Sequence, residues 1–116
     1  MLLFITTLSS IISMFILYLY VKNAGSKLDY FKASSFLQNG RFEDAEIYYK
    51  IALKKTNKTD LIHLSSLMGL HDLYLKTDRK DESLILLNEA IELSNKNDKW
   101  KIINIQLNNL KKKHFS

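Results

Sequence analysis

The turn that decides the fold lies near the middle of the chain, which reads NGRFEDAE from Asn39 to Glu46. Gly40 is suited to ending a helix there, because glycine takes the left-handed backbone conformation at little cost. Beyond the turn, aromatic and small side chains return at spacings of three, four and three: Phe42, Ala45, Tyr49 and Ala52. This is the stride of one helix face, so the stretch predicts two helices joined by a tight turn.

The same stride covers most of the chain from residue 26 onward. Four short stretches interrupt it and offer helix-capping residues: 40–41, 56–59, 77–79 and 95–98. The sequence contains no proline and only three glycines, which also favours helices. We therefore expect an all-α fold with helices at about 26–39, 42–55, 60–76, 80–95 and 98–113.

The 34 residues from Ser26 to Thr59 resemble a tetratricopeptide repeat, whose period has that length. The resemblance covers seven positions at the offsets of the motif: Ala33, Phe36, Gly40, Phe42, Ala45, Tyr49 and Ala52. It implies that Ala33 and Ala45 lie where the two helices cross closely, and that Tyr49 fills the groove between helices.

A second, weaker copy of the motif follows after about four extra residues. When Ala90 is aligned with Ala52, two further positions match the motif: Tyr74 and Leu87. Three positions depart from it, since His71 and Ser83 replace the small crossing residues and Lys80 replaces the turn aromatic. The resemblance implies a short α-solenoid of two helix–turn–helix repeats and a capping helix, at about 26–59, 60–97 and 98–113.

Tetratricopeptide arrays bind extended peptides or helices along a concave face built by the first helix of each repeat. The resemblance implies that such a partner groove is formed by Lys27, Tyr30, Ser34, Leu37, Gln38, Met68, Asp72 and Lys76, with Ser65 on the same face. Tyr30 and Ser34 stand where chaperone-binding members of the family carry Lys and Asn, so a clamp for a C-terminal carboxylate is not expected. A plainer alternative is that Tyr30 and Leu37 only pack against the end of the preceding segment.

That preceding segment predicts a membrane anchor. Residues 1–21 contain no Asp, Glu, Lys, Arg or His, and a helix of about 20 residues spans the roughly 30 Å hydrocarbon core of a bilayer. No basic residue precedes the run, and Lys22 lies close to the one plausible cleavage site, so an uncleaved anchor is favoured over a signal peptide. We expect a single-pass membrane protein with an anchor, a linker and a helical domain at 1–22, 23–25 and 26–116.

Charge and small polar residues suggest how such an anchor is arranged. Lys22, Lys27 and Lys32 follow the apolar run, so the positive-inside rule favours the cytoplasmic side for the helical domain over the external side. Four residues at spacings that share one helix face offer self-association within the lipid bilayer: Thr6, Ser9, Ser10 and Ser13.

The sequence offers no pattern for catalysis, a metal or a cofactor. It contains no cysteine, which excludes disulfides, thiolate zinc sites and cysteine nucleophiles. His63 and His71 are eight residues apart and lack the spacing of helical metal ligands, so a packing role is favoured for His71. We therefore expect that the protein is not an enzyme and that it binds no cofactor.

The net charge of +5 is distributed as a basic, an acidic and a second basic segment, at 22–59, 60–95 and 96–116. The lysines at 111–113 suit the carboxyl end of a helix, with lipid contact as a second reading and nucleic acid as the third. We expect a membrane-tethered protein-interaction or scaffold module for an unknown protein partner. The alternative is a small structural subunit of a membrane complex, in which the anchor makes the main contacts.

Overall fold

A computed structural model of the protein describes the backbone of residues 2–115 and the side chains of 11–16 and 25–115. This part of the chain is helical and confirms the all-α prediction. It contains a 3-10 helix at Asp98–Trp100 and five α-helices: α1 (Leu2–Gln38), α2 (Phe42–Lys55), α3 (Leu61–Lys76), α4 (Lys80–Asn95) and α5 (Lys101–Phe115). The bounds of α2 and α4 are those expected from the sequence, and α3 begins one residue later.

The first helix differs most from the expectation, because it begins at Leu2 and continues without a break to Gln38. Residues 23–25, which were expected to form a linker, are part of this helix. Asn23 and Gly25 are weak helix formers, but even a glycine costs a helix only about 1 kcal/mol relative to alanine. The sequence therefore contains no local signal strong enough to end the helix at that point.

The predicted membrane anchor is wrong. Among the described residues, no helical segment combines the length with the hydropathy that a bilayer-crossing helix needs. The prediction of a single-pass membrane protein with a cytoplasmic domain is wrong with it.

The residues expected to mediate self-association within that segment are only partly described. Ser13 is exposed, whereas Thr6, Ser9 and Ser10 lie outside the described side chains. Their proposed contact therefore stays a prediction.

Two helical hairpins, α1–α2 and α3–α4, pack side by side, and α5 packs against α4 at the end. Their shared core begins with a cluster around the first hairpin: Ala33, Leu37, Ala45, Tyr49, Leu70, Leu73 and Tyr74. It continues in a second cluster around the second hairpin: Leu64, Leu67, Leu87, Ala90, Trp100 and Leu107. Leu53 and Leu86 contact both clusters, so the core runs through the whole stack.

The residues that match the repeat motif lie mostly inside this core. Seven of the ten are buried: Ala33, Ala45, Tyr49, Ala52, Tyr74, Leu87 and Ala90. Phe36 and Phe42 are half-buried against the first cluster, and Gly40 lies in the turn.

Both hairpins close with the same turn. Gly40 and Asp78 each take a left-handed backbone conformation, with φ of 77° and 60°. The next residue then donates its backbone N–H to a carbonyl five positions earlier, Arg41 to Phe36 at 2.9 Å and Arg79 to Tyr74 at 2.8 Å. This bond satisfies a carbonyl at the helix end in the manner of a Schellman cap. Aspartate can replace glycine because its short polar side chain tolerates this conformation.

Two of the departures from the motif in the second hairpin lie at the crossing of α3 and α4. His71 and Ser83 occupy the crossing positions that Ala33 and Ala45 occupy in the first hairpin, and all four side chains are buried. His71 Nδ1 lies 2.7 Å from the Ser83 carbonyl oxygen, so Nδ1 carries the hydrogen and donates it. The larger histidine is therefore accommodated by a hydrogen bond across the crossing of α3 and α4.

Candidate functional site

A groove of about 530 Å³ lies between α1, α3 and the first turn of α5. Seven of the eight residues expected to face a partner line it: Tyr30, Ser34, Leu37, Gln38, Met68, Asp72 and Lys76. Ser65 also lines it, whereas Lys27 does not. Lys27 lies almost one helical turn before Tyr30 and is exposed. The first helices of the two hairpins therefore share one concave face.

The floor of the groove is built from two residues of different helices. The ring of Tyr49, on α2, is 2 % exposed and passes beside Gly69 on α3. A Cβ at residue 69 would lie 2.6 Å from the Tyr49 hydroxyl oxygen, so only glycine leaves room for the ring. Tyr49 thus reaches the groove from α2, the second helix of the first hairpin.

Sequence reasoning assigned Tyr49 to helix packing and did not find Gly69. The available signal was the position of Gly69 in the middle of α3, where glycine costs about 1 kcal/mol relative to alanine. Such a residue often marks a close approach of two groups.

The hydroxyl of Tyr49 is kept neutral by its surroundings. Burial, together with the neighbouring Tyr30, raises the pKa of Tyr49 to about 12, while a hydrogen bond with Ser34 acts in the opposite direction. The rings of Tyr30 and Tyr49 lie 6.1 Å apart between centroids. At neutral pH the floor therefore presents an uncharged hydroxyl and aromatic surface.

The rim of the groove carries little net charge. Lys76 Nζ lies 3.3 Å from Asp72 Oδ2, and both side chains are about half exposed. Exposed pairs one helical turn apart are worth well under 1 kcal/mol because water screens them. This pair therefore neutralises the rim more than it stabilises α3.

The remaining lining alternates apolar and hydrogen-bonding groups. Five aliphatic side chains contribute: Leu37, Leu61, Leu64, Met68 and Ile103. Ser34, Gln38 and Ser65 add hydroxyl and amide groups between them. A surface of this kind suits a ligand that has both apolar side chains and backbone hydrogen-bonding groups.

No family model, curated protein or solved structure matches this chain. Its function has to be inferred from the groove and the surfaces around it.

The histidines lie away from the groove lining. His63 Nδ1 pairs with the hydroxyl of Thr56 at 3.0 Å, between α3 and the end of α2. His71 is 2 % exposed at the crossing of α3 and α4. Among the residues whose side chains are described, no group of three His, Cys, Asp or Glu is placed to hold a metal ion.

A charged cluster, which sequence reasoning missed, joins the two hairpins. Glu46 accepts hydrogen bonds from Tyr74 Oη at 2.8 Å and from Arg79 Nη1 at 3.1 and 3.2 Å. The Arg79 guanidinium also lies 3.9 Å from the centre of the Tyr74 ring and pairs with Glu82. Burial alone would raise the pKa of Glu46, but hydrogen bonds from Tyr74, Lys50 and Arg79 hold it below its ordinary value.

This cluster connects the two hairpins outside the groove. Glu46 belongs to α2, whereas Tyr74 and Arg79 belong to α3 and the turn before α4. None of these residues lines the groove.

Proposed function

We propose that this protein binds a short segment of a partner protein in the groove between α1, α3 and α5, as a small tetratricopeptide-type interaction module. The observation that carries the proposal is the shared concave face, which brings seven predicted groove residues from two hairpins together around an aromatic floor. The equal turns of the two hairpins and the small crossing residues of the first, Ala33 and Ala45, support the comparison with that family.

The lining suggests the chemistry of the bound segment. Leu37, Leu64 and Met68 offer contact surface for apolar side chains, and methionine adapts to different shapes. The hydroxyl and amide groups between them can bond to the backbone of a peptide. The Asp72–Lys76 pair leaves the rim nearly neutral. We expect the groove to select an uncharged segment with two or three apolar side chains.

The size of the groove limits the strength of binding. About 530 Å³ accommodates a few side chains rather than a long helix. A peptide also loses conformational entropy on binding. We therefore expect weak binding by a single groove, strengthened wherever several copies of the chain or of the segment come together.

Peptides selected from a random library against the full chain test this proposal. A selected peptide is titrated against the wild type and against Met68→Glu, which places a charge among the apolar groove residues. We expect Met68→Glu to weaken binding by about tenfold or more, because a buried charge without a partner is costly. Ser65→Phe, which fills the groove, should have a similar effect.

Ile47→Glu is the matched control, since Ile47 is 54 % exposed on α2 and does not line the groove. Circular dichroism verifies that each variant keeps its helices. Selected peptides that bind the wild type and Met68→Glu equally would place their site elsewhere and exclude the groove.

A further inference from the structure

The last helix, α5, has a polar side chain that faces inward. Asn104 donates hydrogen bonds to the Ile91 carbonyl oxygen at 3.1 Å and to Ser94 Oγ at 3.0 Å. It therefore faces α4. The outer side of α5 exposes apolar surface, with Ile102 and Ile105 exposed by 73 % and 55 %.

This exposed surface is surrounded by positive charge. Four exposed residues follow one another on α5 at spacings of four, three and four, which places them on one side of the helix: Lys101, Ile105, Asn108 and Lys112. We refer to these four residues as the basic face. No acidic residue occurs in α5. Ile103, which lines the groove, lies on roughly the opposite side of the helix.

The outer side of α4 carries the same arrangement with the opposite charge. Four exposed residues follow one another at the same spacings of four, three and four: Asp81, Ile85, Asn88 and Glu92. We refer to them as the acidic face. Ile85 is 66 % exposed, and Ser83, Leu87 and Ala90 on the other side of α4 are buried.

We propose that these two faces bind each other between copies, so that the acidic face of one copy docks on the basic face of a second copy. Each face has one sign of charge at both ends and an isoleucine and an asparagine between them. Opposite charges therefore meet at both ends whether the two helices run parallel or antiparallel. The isoleucines come within one helical turn of each other in either direction.

One charged side chain in each face is free to pair with a second copy. Among the described residues, neither Asp81 nor Lys101 has an ion-pair partner. Glu92 pairs only with Lys96 one turn later, at 3.2 Å, and both side chains are about two-thirds exposed. Such an exposed pair is weak enough to exchange for a contact with a second copy.

The proposed contact is independent of the groove and leaves it open. Three turns of helix on each side cover less surface than the roughly 1,200–2,000 Å² of a standard stable interface. The association should therefore be weak and should decrease as added salt screens the charges.

Charge reversal in the full chain tests the proposal by sedimentation velocity. The variants K101E/K112E and D81K/E92K should each associate at least tenfold more weakly than the wild type, because each now has two faces of like charge. A mixture of the two variants should associate again, since the acidic face of the first meets the basic face of the second. K27E/K58E is the control for K101E/K112E, with the same change in net charge at two exposed lysines outside both faces.

Disulfide trapping identifies the contacting faces, and the chain offers a background without cysteine. Differently tagged Ile85→Cys and Ile105→Cys chains are mixed and oxidised. We expect a mixed disulfide between them, and little between Ile47→Cys and Ile105→Cys, although Ile47 is 54 % exposed.

Three results would overturn the proposal. The first is a wild type that sediments as a monomer at every concentration, together with no mixed disulfide between the Ile85→Cys and Ile105→Cys chains. Association that survives both charge reversals would assign the contact to another surface, such as the exposed apolar side chains at 11–16 of α1. Equal yields of disulfide to Ile105→Cys from Ile47→Cys and from Ile85→Cys would show that the chains were trapped by random collision.

Discussion

The ring of Tyr49 occupies the space that a side chain at Gly69 would need. Tyr49 comes from α2 and Gly69 from α3, and a Cβ at residue 69 would lie 2.6 Å from the Tyr49 hydroxyl oxygen. This close approach joins the first hairpin to the second and forms the floor of the groove. The stability of the fold and the shape of the groove therefore depend on the same contact.

Gly69→Ala should destabilise the protein although alanine is the better helix former. The gain in helix propensity is about 1 kcal/mol, whereas forcing a methyl group against a buried ring costs about 1–3 kcal/mol and displaces the ring. We expect a lower free energy of unfolding in urea and weaker binding of a groove peptide.

Gly25→Ala is the matched control for this substitution. Among the described side chains, a Cβ at residue 25 meets only the Lys55 ammonium, at 4.0 Å. Alanine there should raise the free energy of unfolding by up to about 1 kcal/mol. A stabilising effect of Gly69→Ala equal to that of Gly25→Ala would show that the ring of Tyr49 can move aside freely.

Local signals predicted most of the helices. The bounds of α2 and α4 follow from a turn glycine or aspartate, a helical stride and the absence of proline. The start of α1 could not be predicted, because no residue between the apolar run and Ser26 is a strong helix breaker. The chain continues as a helix wherever no local feature prevents it.

The groove was predicted in outline from a family resemblance, but its floor was not. The family resemblance predicts which faces of α1 and α3 line the groove, and seven of the eight predicted residues line it. Gly69 has no local reason to be in a helix, and its role is visible only once Tyr49 lies beside it. Asn104 faces inward for a similar reason, since its hydrogen bonds depend on where α4 lies.

The two turns allow a direct comparison of glycine and aspartate in the left-handed conformation. Gly40, with φ of 77°, has no described atom beyond its two chain neighbours within 4 Å of the place where a Cβ would be. Gly40→Ala should therefore lower the free energy of unfolding by about 1 kcal/mol through backbone strain alone.

Asp78→Gly should change stability in the other direction, by a few tenths of a kcal/mol, because it relieves the same strain at φ of 60°. Urea unfolding of both variants measures the difference. Equal destabilisation by the two substitutions would mean that the Asp78 side chain makes a contribution beyond its backbone conformation.

The cluster around Glu46 should make the protein sensitive to mild acid. The pKa of Glu46 is lowered from 4.5, so its ion pair contributes fully above that pH and is lost as the pH falls through the lower folded-state value. Below about pH 4.5 the free energy of unfolding of the wild type should decrease more steeply than that of Glu46→Gln.

Glu89→Gln is the control for this pH dependence, since Glu89 has no ion pair among the residues that the structure describes. This variant should follow the wild type at every pH. Parallel curves for the wild type and Glu46→Gln would show that the cluster does not stabilise the charged form of Glu46.

At the alkaline end, Tyr49 should determine how the fold responds to pH. Burial raises the pKa of its hydroxyl from 10.0 to about 12, so the neutral hydroxyl is favoured in the folded chain. The stabilisation of the fold by this neutral hydroxyl is complete below pH 10.0 and is lost as the pH rises towards 12. Over this range the free energy of unfolding of the wild type should decrease more steeply than that of Tyr49→Phe, which keeps the ring without the titrating group. Tyr48→Phe, at the neighbouring half-buried residue, is the control and should keep the steep pH dependence of the wild type. A Tyr49→Phe curve as steep as that of the wild type would place the alkaline sensitivity outside the groove floor.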